Sequence, residues 1–196
     1  MVPESIRNVR RVAIAAMFAL IPGAGYAQQG ERITAVRPMG TSLGILVSEG
    51  RARSPTFASL IQKIERSGWV VFLQPGSCRV PNVLACLLHR VGRFEGQPYL
   101  RVVLRDASTR NDEAIARIGH ELQHAVEVIS DRHASETGDI GELYHRIGYV
   151  SLRTALWKLY DTRLAIRTGT EIARELRTSL SHTRRSLRYV TMRSRE

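Results

Sequence analysis

Residues Ile118-Gly119-His120-Glu121-Leu122-Gln123-His124-Ala125-Val126-Glu127 restrict this chain more than any other stretch. Ile115, Ile118, Leu122, Ala125 and Ile129 recur at helical spacing and predict one apolar stripe. His120, His124, Glu113 and Glu127 fall on roughly the opposite side of the same helix. The fold must therefore bury one face of this helix and leave nitrogen and oxygen donors on another. Two histidines four residues apart can hold one metal ion together. A glutamate directly after the first histidine is then placed to take a proton from metal-activated water. The plain alternative is a solvated polar face that happens to carry two histidines.

His-Glu-x-x-His in this apolar helical setting resembles the active helix of zincin metallopeptidases. The resemblance implies Zn2+ as cofactor, His120 and His124 as ligands, and Glu121 as general base. It also implies an α+β fold, with a small mixed sheet before the active-site helix and further helices after it. In that plan an edge strand borders a cleft where a peptide substrate lies extended, pairing through its free backbone groups. The resemblance covers roughly Tyr99 to Ala165. The chain also resembles small exported bacterial proteins of unassigned function that carry such a helix, a likeness that brings no substrate with it.

A catalytic zinc site usually has three protein ligands and one open position, and the motif supplies two. Gly-x-x-His does not follow it, which sets the metzincin branch aside. Gluzincins take an acid from a later helix, commonly with an Ala a few positions on. Asp161-Thr162-Arg163-Leu164-Ala165 resembles that arrangement, with Asp in place of Glu and no Asp after the Ala. Asp161 is therefore the leading third ligand. Glu127 is its nearest rival, one turn beyond His124 and leaning back toward the histidines. It could ligate, or it could hold a ligand in place. Glu142 and His145 are further candidates downstream. Their plainer roles are those of an early-turn helix acid and an exposed helix residue, as Asp161 has a plainer role in pairing with Arg163 or Lys158.

The first residues read as an export signal. Arg7, Arg10 and Arg11 precede the apolar run Val12 to Ile21, and small residues lead to a cut after Ala27. The run is short for a membrane span, and no later segment predicts one. Residues 28–53, rich in Gly, Arg and Ser, read as a linker or loosely packed arm, with a short strand at Leu43 to Val47. Residues 54–180 form the expected zincin-like domain, and 181–196 a basic, disordered tail. The chain carries 29 Lys and Arg against 18 Asp and Glu, a net +11. For an exported protein this charge favours anionic envelope polymers or acidic substrates over nucleic acid. Cys78 and Cys86 are the only cysteines, and an oxidising compartment predicts one disulfide between them.

Within the domain, Ser54-Pro55 predicts a helix start, and Phe57, Leu60, Ile61 and Ile64 its buried face, up to Gly68. Strands are expected at Trp69 to Gln74, Val83 to Val91 and Tyr99 to Arg105. The last of these is the expected edge strand beside the cleft. After the motif, a polar loop (Ser130 to Gly141) leads to a short helix at Glu142 to Ile147. A longer helix is expected from about Ser151 to Gly169, and a last one capped by Thr170. Two functions compete. One is a periplasmic or secreted zinc hydrolase, a peptidase acting on peptide or protein substrates. The other is a non-catalytic envelope-binding protein that uses the fold and its basic surface.

Overall fold

A computed structural model describes residues 34–105, 111–153 and 158–193, with side chains up to residue 179. The expected export signal at 1–27 and the polar turn at 106–110 lie outside the described residues. The fold is α+β. Strand β1 (Val36–Pro38) is followed by helices α1 (Thr41–Arg53) and α2 (Pro55–Ser67), then by strands β2 (Val70–Pro75), β3 (Ala85–Leu87), β4 (Gly92–Phe94) and β5 (Gln97–Leu104). Helix α3 (Asp112–Ser130) carries the motif. Helices α4 (Arg132–Thr137) and α5 (Ile140–Ile147), strands β6 (Tyr149–Arg153) and β7 (Lys158–Asp161), and helix α6 (Arg163–Arg193) complete the order.

The sheet runs β1-β2-β5-β3, with β4 also paired to β5. β1, β2 and β5 are parallel, and β3 and β4 are antiparallel to β5. Parallel neighbours need a crossover, and α1 and α2 supply the one between β1 and β2. Ser54 caps α2 by accepting from Phe57 N at 3.0 Å, Pro55 opens the helix, and Gly68 closes it at φ 75°. Val71 and Leu73 of β2, and Leu100, Val102 and Leu104 of β5, meet Phe57, Ile61 and Ile64 of α2 and Ile115, Ile118 and Leu122 of α3 in one core.

Several expectations need correcting. Residues 36–53 are no loose arm: β1 pairs with β2, Leu43–Val47 is helical, and Leu43 and Leu46 are core residues. Tyr99 to Arg105 is not the edge. β5 lies between β2 and the antiparallel strands, and β3 is the edge beside α3. The expected strand at Val83 to Val91 shortens to Ala85–Leu87. A separate short strand, β4, forms a hairpin with β5 that turns at Glu95 and Gly96, both with positive φ. Where a helix was expected from Ser151, β6 and β7 form a separate two-stranded sheet. α6 runs unbroken through Gly169 and Thr170, and helical backbone continues to Arg193 through the expected tail.

Candidate metal centre

α3 is held at both ends. Asn111 caps its start by accepting from Ala114 N at 2.7 Å, and Asp131 takes over at its end. Its apolar stripe faces the sheet, and Ile115, Ile118, Leu122 and Ala125 are fully buried. The opposite face is covered too, by α6 and β3, so Glu121 and His124 are only 7% and 5% exposed. Glycines permit this double burial. A Cβ at Gly119 would overlap Ile172 Cδ1 of α6, and one at Gly169 would stand 3.3 Å from His120 Cβ. α6 therefore lies close against the histidine face.

His120, His124 and Asp161 form a group that could hold a metal ion, with one ligand atom from each within 4.8 Å of the others. His120 Nε2 and His124 Nε2 both lie 3.5 Å from Asp161 Oδ1. Asp161 comes from the last residue of β7 and not from within a helix. It is fixed by the turn into α6: Thr162 N donates to Asp161 Oδ1 at 2.7 Å, and Thr162 Oγ1 accepts from Ala165 N at 3.0 Å.

The remaining candidates sit around this group or away from it. Glu127 Oε2 meets His124 Nδ1 at 2.9 Å, and Thr162 Oγ1 donates to Glu127 Oε1 at 2.7 Å. Glu127 thus orients His124 from behind and stays outside the three-residue group. Such a contact sets the ring so that its other nitrogen can face a metal. His120 bonds the Ala165 backbone in a similar way. Glu142 pairs with His133 at 2.8 Å, and His145 Nε2 meets Tyr160 Oη at 2.9 Å, so neither joins the group. Glu121 Oε2 accepts from Leu87 N at 2.7 Å, tying the edge strand to α3.

The electrostatics follow from burial and close partners. Burial pushes Glu121 up to about 7, against the opposing pull of His124 and the Leu87 N–H. For His124 burial acts downward, but hydrogen bonds with Asp161 and Glu127 outweigh it and lift the imidazole to about 9. His120 is lowered by burial and by neighbouring His124. Burial acts upward on Asp161, but His124 and His120 outweigh it and hold the carboxyl below its ordinary value.

Sequence reasoning missed His89 and Tyr144. Both line the cavity of about 120 Å³ that contains the group. Tyr144 is buried beneath His124, donates to the His124 carbonyl at 3.2 Å, and meets its ring edge-on at 5.3 Å. His89 stacks on Tyr144 with centroids 5.6 Å apart, and burial pushes its pKa down. Neither stands near the motif in sequence, and no local pattern marks them. Cys78 and Cys86 are joined by a disulfide with Cα atoms 6.1 Å apart, and Cys86 lies in β3 at the cavity wall. Among the described residues no helix is long and apolar enough to cross a membrane. The chain matches no family model, no curated protein and no solved structure.

Proposed function

We propose that this chain is an exported zinc-dependent hydrolase acting on peptide bonds. The observation that carries the reading is the meeting of His120 Nε2 and His124 Nε2 on one Asp161 oxygen, with Glu121 alongside. Two imidazoles and one carboxylate suit zinc with a position left open. When bound, zinc lowers the pKa of water and polarises a carbonyl. His120, His124 and Asp161 would hold it, and Glu127 and Thr162 would keep His124 and Asp161 oriented. Glu121 would take the proton from the attacking water as its oxygen bonds the carbonyl carbon, then pass it to the leaving nitrogen as the C–N bond breaks.

The edge strand supports a peptide as substrate. β3 bonds to β5 through Leu84, Cys86 and Leu88. In such a ladder the alternate residues turn their backbone groups outward. Ala85 thus offers both its N–H and its C=O to the cleft, and Leu87 its C=O, while Leu87 N–H is taken by Glu121. An extended chain can pair there. Export is supported by the N-terminal pattern of Arg7, Arg10, Arg11 and the apolar run before Ala27, together with the Cys78–Cys86 bridge.

The test is zinc retained per chain through graded chelation, measured beside hydrolysis of a peptide library. The parent should keep about one zinc and cleave. Glu121→Gln should keep the zinc and lose hydrolysis by about 10²–10⁴-fold, because a carboxamide cannot accept the proton. His124→Ala should lose both. A His124→Ala variant that holds zinc like the parent would mean the metal lies elsewhere. A zinc-loaded parent that cleaves nothing would leave the site and remove the hydrolase.

A further inference from the structure

We infer that the substrate of this site places an apolar side chain in the groove between β3 and α6, and only a small group on the opposite side of the metal centre. This rests on the hydrolytic reading above. Two hollows meet at Ala85, His120 and Glu121. The one around the metal group, about 120 Å³, is walled at its far side by His89, Tyr144, Leu159 and Tyr160. Tyr144 is buried and tied to α3, and His89 stacks on it, so this part of the wall cannot easily retreat. The other hollow is about 540 Å³ and follows α3 back toward its N-terminus.

The chemistry of the larger hollow is specific. Leu84 lines one side and Ile166 and Ala173 of α6 the other, with Ala116 of α3 also in the lining. Leu84 and Ile166 are 39% and 41% exposed, so among the described residues large apolar side chains flank an open groove. The Glu113–Arg117 ion pair neutralises the polar end of the groove. Ala85 sits at the junction of the two hollows, and its backbone groups have no partner among the described residues. A peptide paired to Ala85 turns successive side chains to alternate faces, and one of them points down into the groove. Small residues at Ala116, Gly169 and Ala173 leave depth for it.

The test uses two probes with the same zinc-binding head, acetohydroxamate and hexanohydroxamate, titrated by calorimetry into the zinc-loaded full chain. Each methylene buried is worth roughly four-fold in affinity. The longer probe should therefore bind at least about ten-fold tighter, with about two of its added methylenes buried. Ile166→Glu and Leu84→Glu, from opposite walls, should bring the ratio of the two affinities close to one, with zinc content equal to the parent's. Equal affinities in the parent would overturn the inference and leave the metal site standing. So would a ratio that survives both variants, or a zinc-loaded parent that binds neither probe. A chain that retains no zinc would fail the hydrolase reading, and this inference with it.

Discussion

At the scale of single residues, the centre is decided by which nitrogen of each histidine is already engaged. Glu127 occupies His124 Nδ1, which leaves Nε2 facing Asp161. Removing Glu127 should therefore loosen the metal without abolishing its site. Glu127→Ala is expected to weaken zinc binding by roughly 10–100-fold, whereas Asp161→Ala should lose it as completely as His124→Ala. Zinc retention against a graded chelator separates these outcomes, and equal loss in Glu127→Ala and Asp161→Ala would make Glu127 a ligand. Two of the three grouped residues were legible in the sequence because helical spacing alone puts His120 and His124 together. Asp161 was legible only by resemblance. Its place depends on a strand ending at Asp161 and on Thr162 starting the next helix, and no spacing rule contains those facts. His89 and Tyr144 reach the cavity from separate segments, so their proximity is wholly tertiary.

At the scale of elements, the strong helical faces were legible and the weak ones were not. α2 and α3 announce themselves by apolar residues at regular spacing. α1 does not, since Gly44 and Gly50 interrupt its face, yet Gly50 is needed where Phe57 and Ile115 come close. Leu152, Leu156 and Leu159 fit a helical period, and that spacing hid the β6–β7 pair. Gly169 looked like a stop because glycine so often ends helices; here its missing Cβ lets α6 close on His120. Gly119 makes the corresponding allowance for Ile172. Gly119→Leu should therefore overpack the α3–α6 contact and cost about 1–3 kcal/mol, partly offset by about 1 kcal/mol of helix propensity. A lower urea midpoint, largely recovered by adding Ile172→Ala, is the expected result; a Gly119→Leu chain as stable as the parent would count against the close contact. The disulfide acts on the edge strand. Replacing both Cys78 and Cys86 with Ala should cost about 2–3 kcal/mol for so short a loop, read as the shift in guanidinium midpoint.

At the scale of the whole molecule, the metal group joins parts that otherwise meet by packing and a few hydrogen bonds. His120 and His124 belong to α3, which is packed on the sheet, whereas Asp161 arrives with the β6–β7 pair at the start of α6. β6 is exposed along its length, with Tyr149, Val150 and Leu152 all open to solvent. Among the described residues Tyr160 is this hairpin's apolar anchor on the core, so Asp161 gains from a further source of order. Thr162 bonded to Glu127 supplies part of it. An ion shared by α3 and Asp161 would supply more, because an ion that binds the folded chain and not the unfolded one stabilises the fold by mass action. At a free zinc concentration one hundred times the dissociation constant the gain is about 2.7 kcal/mol. For a domain of this size that should raise the thermal midpoint by about 5–11 °C. The increment should grow with zinc, vanish on chelation, persist in Glu121→Gln and be absent in Asp161→Ala at the same zinc concentration. Differential scanning calorimetry on these three proteins reads it directly. A midpoint indifferent to zinc in the parent would mean that Asp161 and the two histidines are held together by their hydrogen bonds alone, and the metal centre would fall with it.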